Sequence, residues 1–507
     1  MNKVDAIVLF NPRSADAKHR IPNSILQVGG SIDGKYNYTF VDGNLESDPL
    51  EYIKELLKDR ENPILGVTVM PGPQLREAIP FSKELKLIYP KLKIIWGGYF
   101  AANQNKVVLN SGYIDYVISG PGDEAFPRLI EAIEIGDVDR ISQIPNLIFK
   151  KGEEFITTRK EALPDMDNLP DFPYQELDKR YPLDNYLAKT FMGDKTFSYH
   201  SSFGCPFTCS FCAVVPIYNA KWKGLKAERI VKDIKWFKEK YGIDAVEFHD
   251  NNFFTARKRV VEFAKQVKDY NIAWWGEGRI DTINKYSDED LQLMKDAGLK
   301  MIFLGAETGN DEVLKKMDKG GTQTGQQIKD FAQRLHKIGI IPEYSFVLGM
   351  PGNTPEKVSQ QINEDINFIR TIKRINPDTE IIIYVYSPVP TEGSDLFKEI
   401  QAQGFHFPEQ LEDWLSPSWE RFDLRKNPLT PWLTAQHINR IKNFETVLNA
   451  YYPTKTDFRI RGWKKVLLRV MSFWRYHLKF YAYPYEIKLI LKLWRYRQPE
   501  EQGFYAE

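Results

Sequence analysis

Cysteine is scarce in this chain: its 507 residues contain three cysteines, all between Cys205 and Cys212. Three is an odd number and residues this close cannot close useful loops, so the set does not predict a disulfide framework. A structural zinc site needs four ligands, and the nearest histidine, His200, has no evident role in one. We therefore expect free thiols, which suit a reducing cytoplasm.

Long apolar runs and an excess of one charge are also missing. No apolar run reaches the roughly 20 residues of a membrane span, and the first residues, MNKVDAIVLFNP, indicate a strand rather than a signal peptide. The net charge is +1, which gives no support for a nucleic-acid partner. We expect a cytoplasmic protein that does not bind nucleic acid.

The three cysteines that are present have the spacing of iron–sulfur ligands. In GCPFTCSFC, Cys205, Cys209 and Cys212 are separated by three and then two residues. Three thiolates can hold three irons of a four-iron cluster and leave the fourth iron open to another ligand. Three core cysteines with no role would be scattered along the chain, so the motif predicts a [4Fe-4S] cluster.

Residues 1–135 alternate short apolar runs with amphipathic segments, which is typical of an open, doubly wound α/β sheet with a Rossmann-like topology. The predicted strands are Ala6–Phe10, Tyr38–Val41, Ile64–Val69, Lys93–Trp96 and Tyr116–Ile118. Glycines follow several of these strands, among them Gly97, Gly98 and Gly120. Ligands of such sheets bind beyond the carboxyl ends of the strands, so these turns predict a binding edge.

The rest of the chain divides into three segments. Residues 136–195 contain several prolines and are expected to form a linker. Residues 196–400 repeat the alternation six times, which favours a partial (β/α) barrel. The predicted strands are Thr196–Ser201, Ala245–His249, Ala273–Glu277, Met301–Leu304, Glu343–Leu348 and Glu380–Tyr386.

Residues 401–507 are expected to be a helical region that is both basic and aromatic. Between Thr454 and Arg497 the sequence has twelve Lys or Arg residues against Asp457 and Glu486, and tryptophans are interspersed among them. Such helices can lie on an anionic membrane surface. They can also cap the barrel next to a substrate, or pack with a solvated basic face, and we rank these two interpretations above membrane contact.

The cysteine spacing, with Phe211 just before the last cysteine, resembles the radical S-adenosylmethionine (SAM) superfamily. The first 135 residues resemble the cobalamin-binding domain of one subgroup, through GVTVM, WGGYFAAN and VISGPGDEAF. The Asp-x-His-x-x-Gly pattern of the best-known cobalamin domains is absent, so the resemblance implies that residues 1–135 bind cobalamin without a protein histidine below the cobalt. The resemblance to this subgroup covers roughly residues 1–400.

The resemblance also implies roles for particular residues. Phe211 would place its backbone near the adenine of SAM, and Glu307, in FLGAETGN, would accept hydrogen bonds from the ribose. Arg279, in GEGRID, would clamp the SAM carboxylate, with Glu277 as a second candidate in the same loop. In HDNNFF, where relatives have two acidic residues, this chain has Asp250 followed by an asparagine.

The implied activity is methylation of an unactivated carbon by a deoxyadenosyl radical and methylcobalamin, with [4Fe-4S], SAM and cobalamin as cofactors. A small-molecule or lipid-like substrate and an external reductant of the flavodoxin or ferredoxin type would be the partners. A cyclase, oxidative or rearranging enzyme of the same subgroup is the main alternative. A methylthiotransferase would need three further cysteines, and a cobalamin or metal sensor would need no open iron.

Overall fold

The computed structural model describes residues 3–14, 19–319, 322–423, 429–457 and 459–494. The strands are β1 (Ala6–Asn11), β2 (Tyr38–Asp42), β3 (Pro63–Thr68), β4 (Lys93–Gly97), β5 (Tyr116–Ile118), β6 (Leu147–Lys151), β7 (Glu154–Thr157), β8 (Thr196–Tyr199), β9 (Ser202–Gly204), β10 (Trp222–Gly224), β11 (Ala245–Phe248), β12 (Ala273–Gly278), β13 (Leu299–Glu307), β14 (Ile341–Leu348) and β15 (Glu380–Val385).

The helices connect and cover these strands. They are α1 (Asn23–Ile32), α2 (Pro49–Leu57), α3 (Leu75–Ile88), α4 (Tyr99–Asn103), α5 (Asn105–Asn110), α6 (Ala125–Ile135), α7 (Val138–Ile141), α8 (Tyr174–Asp178), α9 (Val215–Tyr218), α10 (Ala227–Tyr241), α11 (Arg257–Val267), α12 (Ile280–Ile283), α13 (Asp288–Asp296), α14 (Asp311–Lys316), α15 (Gly325–Ile338), α16 (Pro355–Ile375), α17 (Asp395–Ala402), α18 (Pro417–Asp423), α19 (Ala435–Tyr451), α20 (Trp463–His477) and α21 (Tyr485–Leu493).

The first sheet has seven strands in the order β2-β1-β3-β4-β5-β6-β7. Strands β1 to β5 are parallel, as predicted. Ile7 and Leu9 of β1 lie in one apolar cluster, while Val8 and Phe10 lie in another. Because alternate residues of a strand point to opposite faces, helices cover both faces, which is the arrangement of a doubly wound sheet.

The first sheet continues into the segment predicted to be a linker. Strands β6 and β7 form an antiparallel hairpin, and β6 also pairs antiparallel with β5. Pro145 and Pro164 lie on either side of this hairpin without interrupting it. The proline content therefore marks only the flanks of this segment, and the predicted domain boundaries at residues 135, 195 and 400 stay predictions.

The second sheet has six parallel strands in the order β15-β14-β13-β12-β11-β8. The edge strands β15 and β8 do not pair with each other, so the barrel is partial. Glu247 of β11 pairs in register with Ser198 and Trp275 of its neighbours, so these three side chains share the inner face. Phe248, which follows Glu247, and Trp274, which precedes Trp275, point to the other face and pack together under the outer helices.

The strand predicted at Thr196–Ser201 is shorter in the structure. Strand β8 ends at Tyr199, and after a break β9 leaves the barrel to pair antiparallel with β10 in a small separate sheet. This break directs the chain out of the barrel just before the first cysteine.

The C-terminal region is helical, as predicted. Helix α19 packs against α16 and α20, and α21 packs against α19 and α20. No helix among the described residues is long and apolar enough to cross a membrane.

The two sheets contact each other through the loops that follow the carboxyl ends of their strands. The hydroxyl of Tyr99, which follows β4, donates to Oδ1 of Asn251, which follows β11, at 2.7 Å. One turn along α4, Nδ2 of Asn103 donates to the carbonyl of Ala213 at 3.1 Å. The carboxyl ends of both sheets therefore open towards one shared region.

Candidate cofactor site between the two sheets

The cysteine loop begins where β9 ends. Cys209 is buried, Cys205 and Cys212 are half-buried, and none of the three forms a disulfide. The backbone amide of Cys212 donates to the carbonyl of Cys209 at 3.1 Å, which tightens the loop. Within the described ranges no group of three or more His, Cys, Asp or Glu residues surrounds a single ion position. Three thiols on one short loop suit a cluster in which each ligates a different iron.

Arg279 lies directly beside this loop. Its Nη1 atom donates to Sγ of Cys209 at 2.9 Å, and its guanidinium carbon lies 3.8 Å from the ring centre of Phe207. Its Nε and Nη2 atoms donate to the carboxylate of Asp281 at 3.0 and 2.8 Å. Burial lowers the pKa of Arg279, but the contacts with Asp281 and Cys209 outweigh burial, so the pKa is raised. This arginine is permanently charged next to a cluster ligand.

The position of Arg279 changes what it can do. Its bidentate edge is already held by Asp281, with Thr322 as a further partner at 3.3 Å. The predicted clamp on a SAM carboxylate therefore stays a prediction, and only the Nη1 side, towards Cys209, remains for it. Asp281 is part of the same GEGRID motif, but its role as counter-charge was missed because a sequence motif does not show which neighbour an arginine contacts.

Glu307 ends β13 in a conformation that is unusual for glutamate. Its φ is +63°, in the left-handed region that costs a non-glycine residue free energy. Its Oε1 accepts a hydrogen bond from Nζ of Lys319 at 2.7 Å, and both residues are buried. The Lys319 ammonium also lies 6.0 Å from the ring centre of Phe211. The predicted ribose and adenine residues are thus brought together through a lysine that the sequence analysis did not single out.

The loop after β11 touches both halves of the site. Asp250 is fully buried and accepts hydrogen bonds from the backbone and hydroxyl of Ser201, just before the cysteine loop. The next residue, Asn251, receives the hydroxyl of Tyr99 from the first sheet. Nδ2 of Asn252 lies 3.9 Å from Sγ of Cys205. Three consecutive residues therefore connect the cysteine loop with the edge of the first sheet.

A cleft lies at the glycine-rich edge of the first sheet, with about 1250 Å³ of empty space, its open mouth included. Gly97, Gly98 and Gly120 line it, as do Tyr99 and, from the second sheet, His200. A Cβ atom at Gly97 would have no neighbour closer than 4.0 Å, so the backbone is open to the cleft. The predicted glycines therefore come together on one cavity wall.

The cleft also contains a buried acid with acceptor capacity to spare. Both carboxylate oxygens of Asp123 are buried and lack a hydrogen bond of ordinary geometry with the described residues, although the side chain of Gln27 is near enough to lower the pKa of this carboxyl. Burial raises the pKa of Asp123 to about 6. A large cleft with a glycine wall, mostly apolar lining and a buried acid with acceptor capacity to spare fits a bulky ligand that carries hydrogen-bond donors, as the amide-bearing corrin of cobalamin does. None of the described residues that line the cleft is a histidine from residues 1–135.

The inner face of the barrel is acidic, which the sequence analysis missed apart from Glu277. Glu247, Glu277 and Glu343 come from β11, β12 and β14, and Nε1 of Trp275 donates to Glu343 at 2.9 Å. Burial raises the pKa of both Glu277 and Glu343 to about 8. The alternation of inward and outward residues along each strand could have indicated this face.

Comparison with known proteins agrees with this geometry. Residues 199–363, which include the cysteine loop, Arg279 and Glu307, match the family model of the radical SAM superfamily. An uncharacterized methyltransferase of Pyrococcus horikoshii is 25% identical over 369 residues, which are 71% of this chain and 77% of the relative. An anaerobic magnesium-protoporphyrin IX monomethyl ester cyclase of Cereibacter sphaeroides is 24% identical over 334 residues, 64% of this chain and 53% of the relative.

The fold is similar to that of TsrM from Kitasatospora setae, a radical SAM methyltransferase solved with tryptophan substrate and a SAM analog bound. The TM-score is 0.67 and the identity 15%, over 97% of this chain and 99% of TsrM. Another structure of TsrM has cobalamin and a [4Fe-4S] cluster bound. The likeness confirms the predicted fold class, a doubly wound domain followed by a partial barrel and a helical C-terminal region.

Proposed function

We propose that this chain is a radical SAM enzyme that methylates an unactivated carbon of a small or apolar substrate and uses cobalamin as methyl carrier, and the family match over residues 199–363 supports this. One observation carries the proposal. The loop that follows β11 contacts the cysteine loop through Asn252 and the cleft residue Tyr99 through Asn251. Cofactors held by the thiols and by the cleft would therefore face one cavity, which radical formation and methyl transfer on one substrate require.

The residues of this chain divide the work as follows. Cys205, Cys209 and Cys212 ligate the cluster, and Arg279 places a fixed positive charge beside one ligand. Glu307 and Lys319 form a buried pair on the side where SAM would lie. When bound, the cluster and SAM supply a carbon-centred radical, and cobalamin supplies the methyl group.

The cleft would hold the cobalamin. Gly97 leaves room for close approach of its ring, and the buried carboxylate of Asp123 offers an acceptor for its amides. His200 of the second sheet also lines this cleft, and the predicted absence of a protein histidine below the cobalt stays a prediction.

A second candidate function is the cyclase chemistry of the same subgroup, which is supported by the similarity to the Cereibacter sphaeroides cyclase. Both candidates share the cysteines and the SAM site. They differ in whether a methyl group reaches the product.

The partners follow from the same chemistry. We infer a flavodoxin or ferredoxin as external reductant, because the cluster must receive an electron for each radical. Free thiols support a cytoplasmic location. The exposed apolar side chains of α20 and α21 support a lipid-like substrate and peripheral contact with a membrane.

The test uses the full chain, reconstituted anaerobically with iron, sulfide and cobalamin. The protein is given SAM with a deuterated methyl group, a strong reductant and extracts of a strain that lacks the gene. The proposal predicts deoxyadenosine together with a product that carries the deuterated methyl group. Deoxyadenosine with an oxidised, unlabelled product would favour the cyclase, and no deoxyadenosine from cluster-loaded protein would contradict both.

A further inference from the structure

The C-terminal helices expose an unusual amount of apolar surface. Of the 19 large apolar side chains that are strongly exposed in the described ranges, 12 lie between Trp463 and Leu493. On α20 the exposed set is Trp463, Val466, Leu467, Val470, Phe473 and Trp474. These positions recur every three or four residues and form one stripe. Since the opposite stripe, with Leu468, Ser472 and Tyr476, is buried against the protein, the apolar stripe points outwards.

The charges around this stripe are positive. Between Thr454 and Leu493 the acidic residues are Asp457 and Glu486, and Glu486 is paired with Arg475 in a partly buried contact at 3.0 Å. The lysines and arginines of α20 and α21 are thus not balanced locally. An apolar, aromatic stripe flanked by unbalanced cations is the composition of a helix that lies in the interface of an anionic bilayer. The same stripe of a second copy, equally basic, would be repelled.

A pocket opens at the edge of the stripe. It is lined by Lys465, Val466 and Arg469 of α20 and by Thr454, with about 930 Å³ of empty space, its mouth included. Val466 belongs to the apolar stripe, so the pocket and the stripe are continuous.

The pocket offers donors and cations that lack a matching anion. Lys465 and Arg469 have no carboxylate partner among the described residues, and Nζ of Lys465 reaches only the carbonyl of Thr454, at 3.4 Å. The hydroxyl of Thr454 is buried and has no hydrogen-bond partner among the residues that the structure describes. The two acids in the pocket are already engaged: Asp378 pairs with Lys455 at 3.0 Å, and Glu380 accepts from Thr456.

We propose that α20 and α21 dock on an anionic membrane and that Lys465, Arg469 and Thr454 bind the phosphate of a lipid headgroup. This inference rests on the membrane contact included in the proposed function and adds a site with lipid selectivity to it. Burial lowers the pKa of Lys465 and, with repulsion from Lys455 and Arg461, outweighs the attraction of Glu380 and Asp457; a bound phosphate would act in the opposite direction. The apolar stripe supplies contact with the acyl region, and the pocket supplies selectivity for anionic lipids.

The experiment measures flotation of the full chain with two kinds of vesicle, phosphatidylcholine alone and phosphatidylcholine mixed with phosphatidylglycerol. Wild-type protein should float with the mixed vesicles at least about tenfold better. The variant Lys465→Gln/Arg469→Gln should lose most of that preference. The control, Lys488→Gln/Lys492→Gln, removes the same charge from α21 outside the pocket and should lose clearly less. Val470→Glu in the stripe should float with neither vesicle.

The outcomes separate the two levels of the proposal. No flotation of wild type with any vesicle would overturn the membrane contact itself. Flotation with equal losses for both double variants would show general charge attraction and overturn only the headgroup site. A wild-type dimer that Val470→Glu turns into a monomer, with flotation unchanged, would mean that a second copy covers the stripe. Unchanged melting curves of the exposed variants exclude misfolding. The methyl-transfer assay in detergent-free solution does not depend on vesicles, so a failure of the proposed activity can be told apart from a failure of membrane binding.

Discussion

Nη1 of Arg279 lies 2.9 Å from Sγ of Cys209 while the other edge of the same guanidinium is held by Asp281. The guanidinium of an arginine that serves only to bind a ligand is usually mobile. The guanidinium of Arg279 is instead held on three sides, by Cys209, by Asp281 and by the ring of Phe207. We therefore predict that it acts as a positioning residue for the cysteine loop.

We predict that Arg279→Ala lowers the free energy of unfolding by about 3–5 kcal/mol, because it leaves the buried Asp281 carboxylate without its counter-charge. Urea unfolding of the protein without cofactors measures this. The double variant Arg279→Ala/Asp281→Ala removes both charges and should recover most of the loss. A single variant as stable as wild type would mean that the ion pair serves only ligand binding.

We predict that Glu307→Gln weakens SAM binding by roughly 10- to 100-fold, the loss expected for one charge-assisted hydrogen bond. Equilibrium dialysis with anaerobically reconstituted protein measures the affinity. Glu312→Gln, on the exposed start of α14, makes the same chemical change and should bind SAM like wild type. Equal affinities of both variants would place the ribose elsewhere in the barrel.

The fold could be predicted to a large extent because its signal is local. Each parallel strand is a short apolar run between glycines or prolines, and each crossover helix has an amphipathic pattern. Strands β6, β7, β9 and β10 were missed because three to five residues next to turn-forming residues carry too little periodicity. Their pairing is decided by neighbouring strands in space, not by their own sequence.

The site could be predicted only where its residues are close in sequence. Three cysteines within eight residues predict a cluster site from their spacing alone. The partners Asp281 and Lys319 are different, because nothing in the sequence shows that they contact Arg279 and Glu307. The acidic inner face of the barrel needs the register of several strands before its members can be seen together.

Two neighbouring glycines allow binding and folding to be separated. A Cβ at Gly97 would meet nothing closer than 4.0 Å, whereas at Gly98, with φ +90°, it would lie 2.6 Å from the carbonyl oxygen of Val69. We predict that Gly97→Val keeps the melting temperature of the cofactor-free protein within a few degrees but reduces retained cobalamin severalfold. Gly98→Ala should instead destabilise the protein by about 1–3 kcal/mol. Visible absorbance after desalting measures cobalamin, and retention by Gly97→Val equal to wild type would move the ligand away from this wall.

The pH dependence of stability tests the acidic inner face of the barrel. Burial, followed by repulsion from Glu380, raises the pKa of Glu343 from 4.5 to about 8. Between these two values the folded protein holds a proton that the unfolded chain has released, so stability falls as pH rises through this window and levels off above it.

We predict that Glu343→Gln, which keeps an acceptor for the indole of Trp275 but cannot titrate, makes this decline shallower by roughly 1 kcal/mol per pH unit between about pH 5 and about pH 8. Urea unfolding at several pH values measures it, on protein without cofactors. Some decline should remain, because burial raises the pKa of Glu277 to about 8 as well. Glu153→Gln, at a fully exposed side chain, is the matched control and should follow wild type. Parallel curves for Glu343→Gln and wild type would show that water reaches Glu343 and keeps its carboxylate charged in the folded state, so that the inner face of the barrel is wet rather than desolvated.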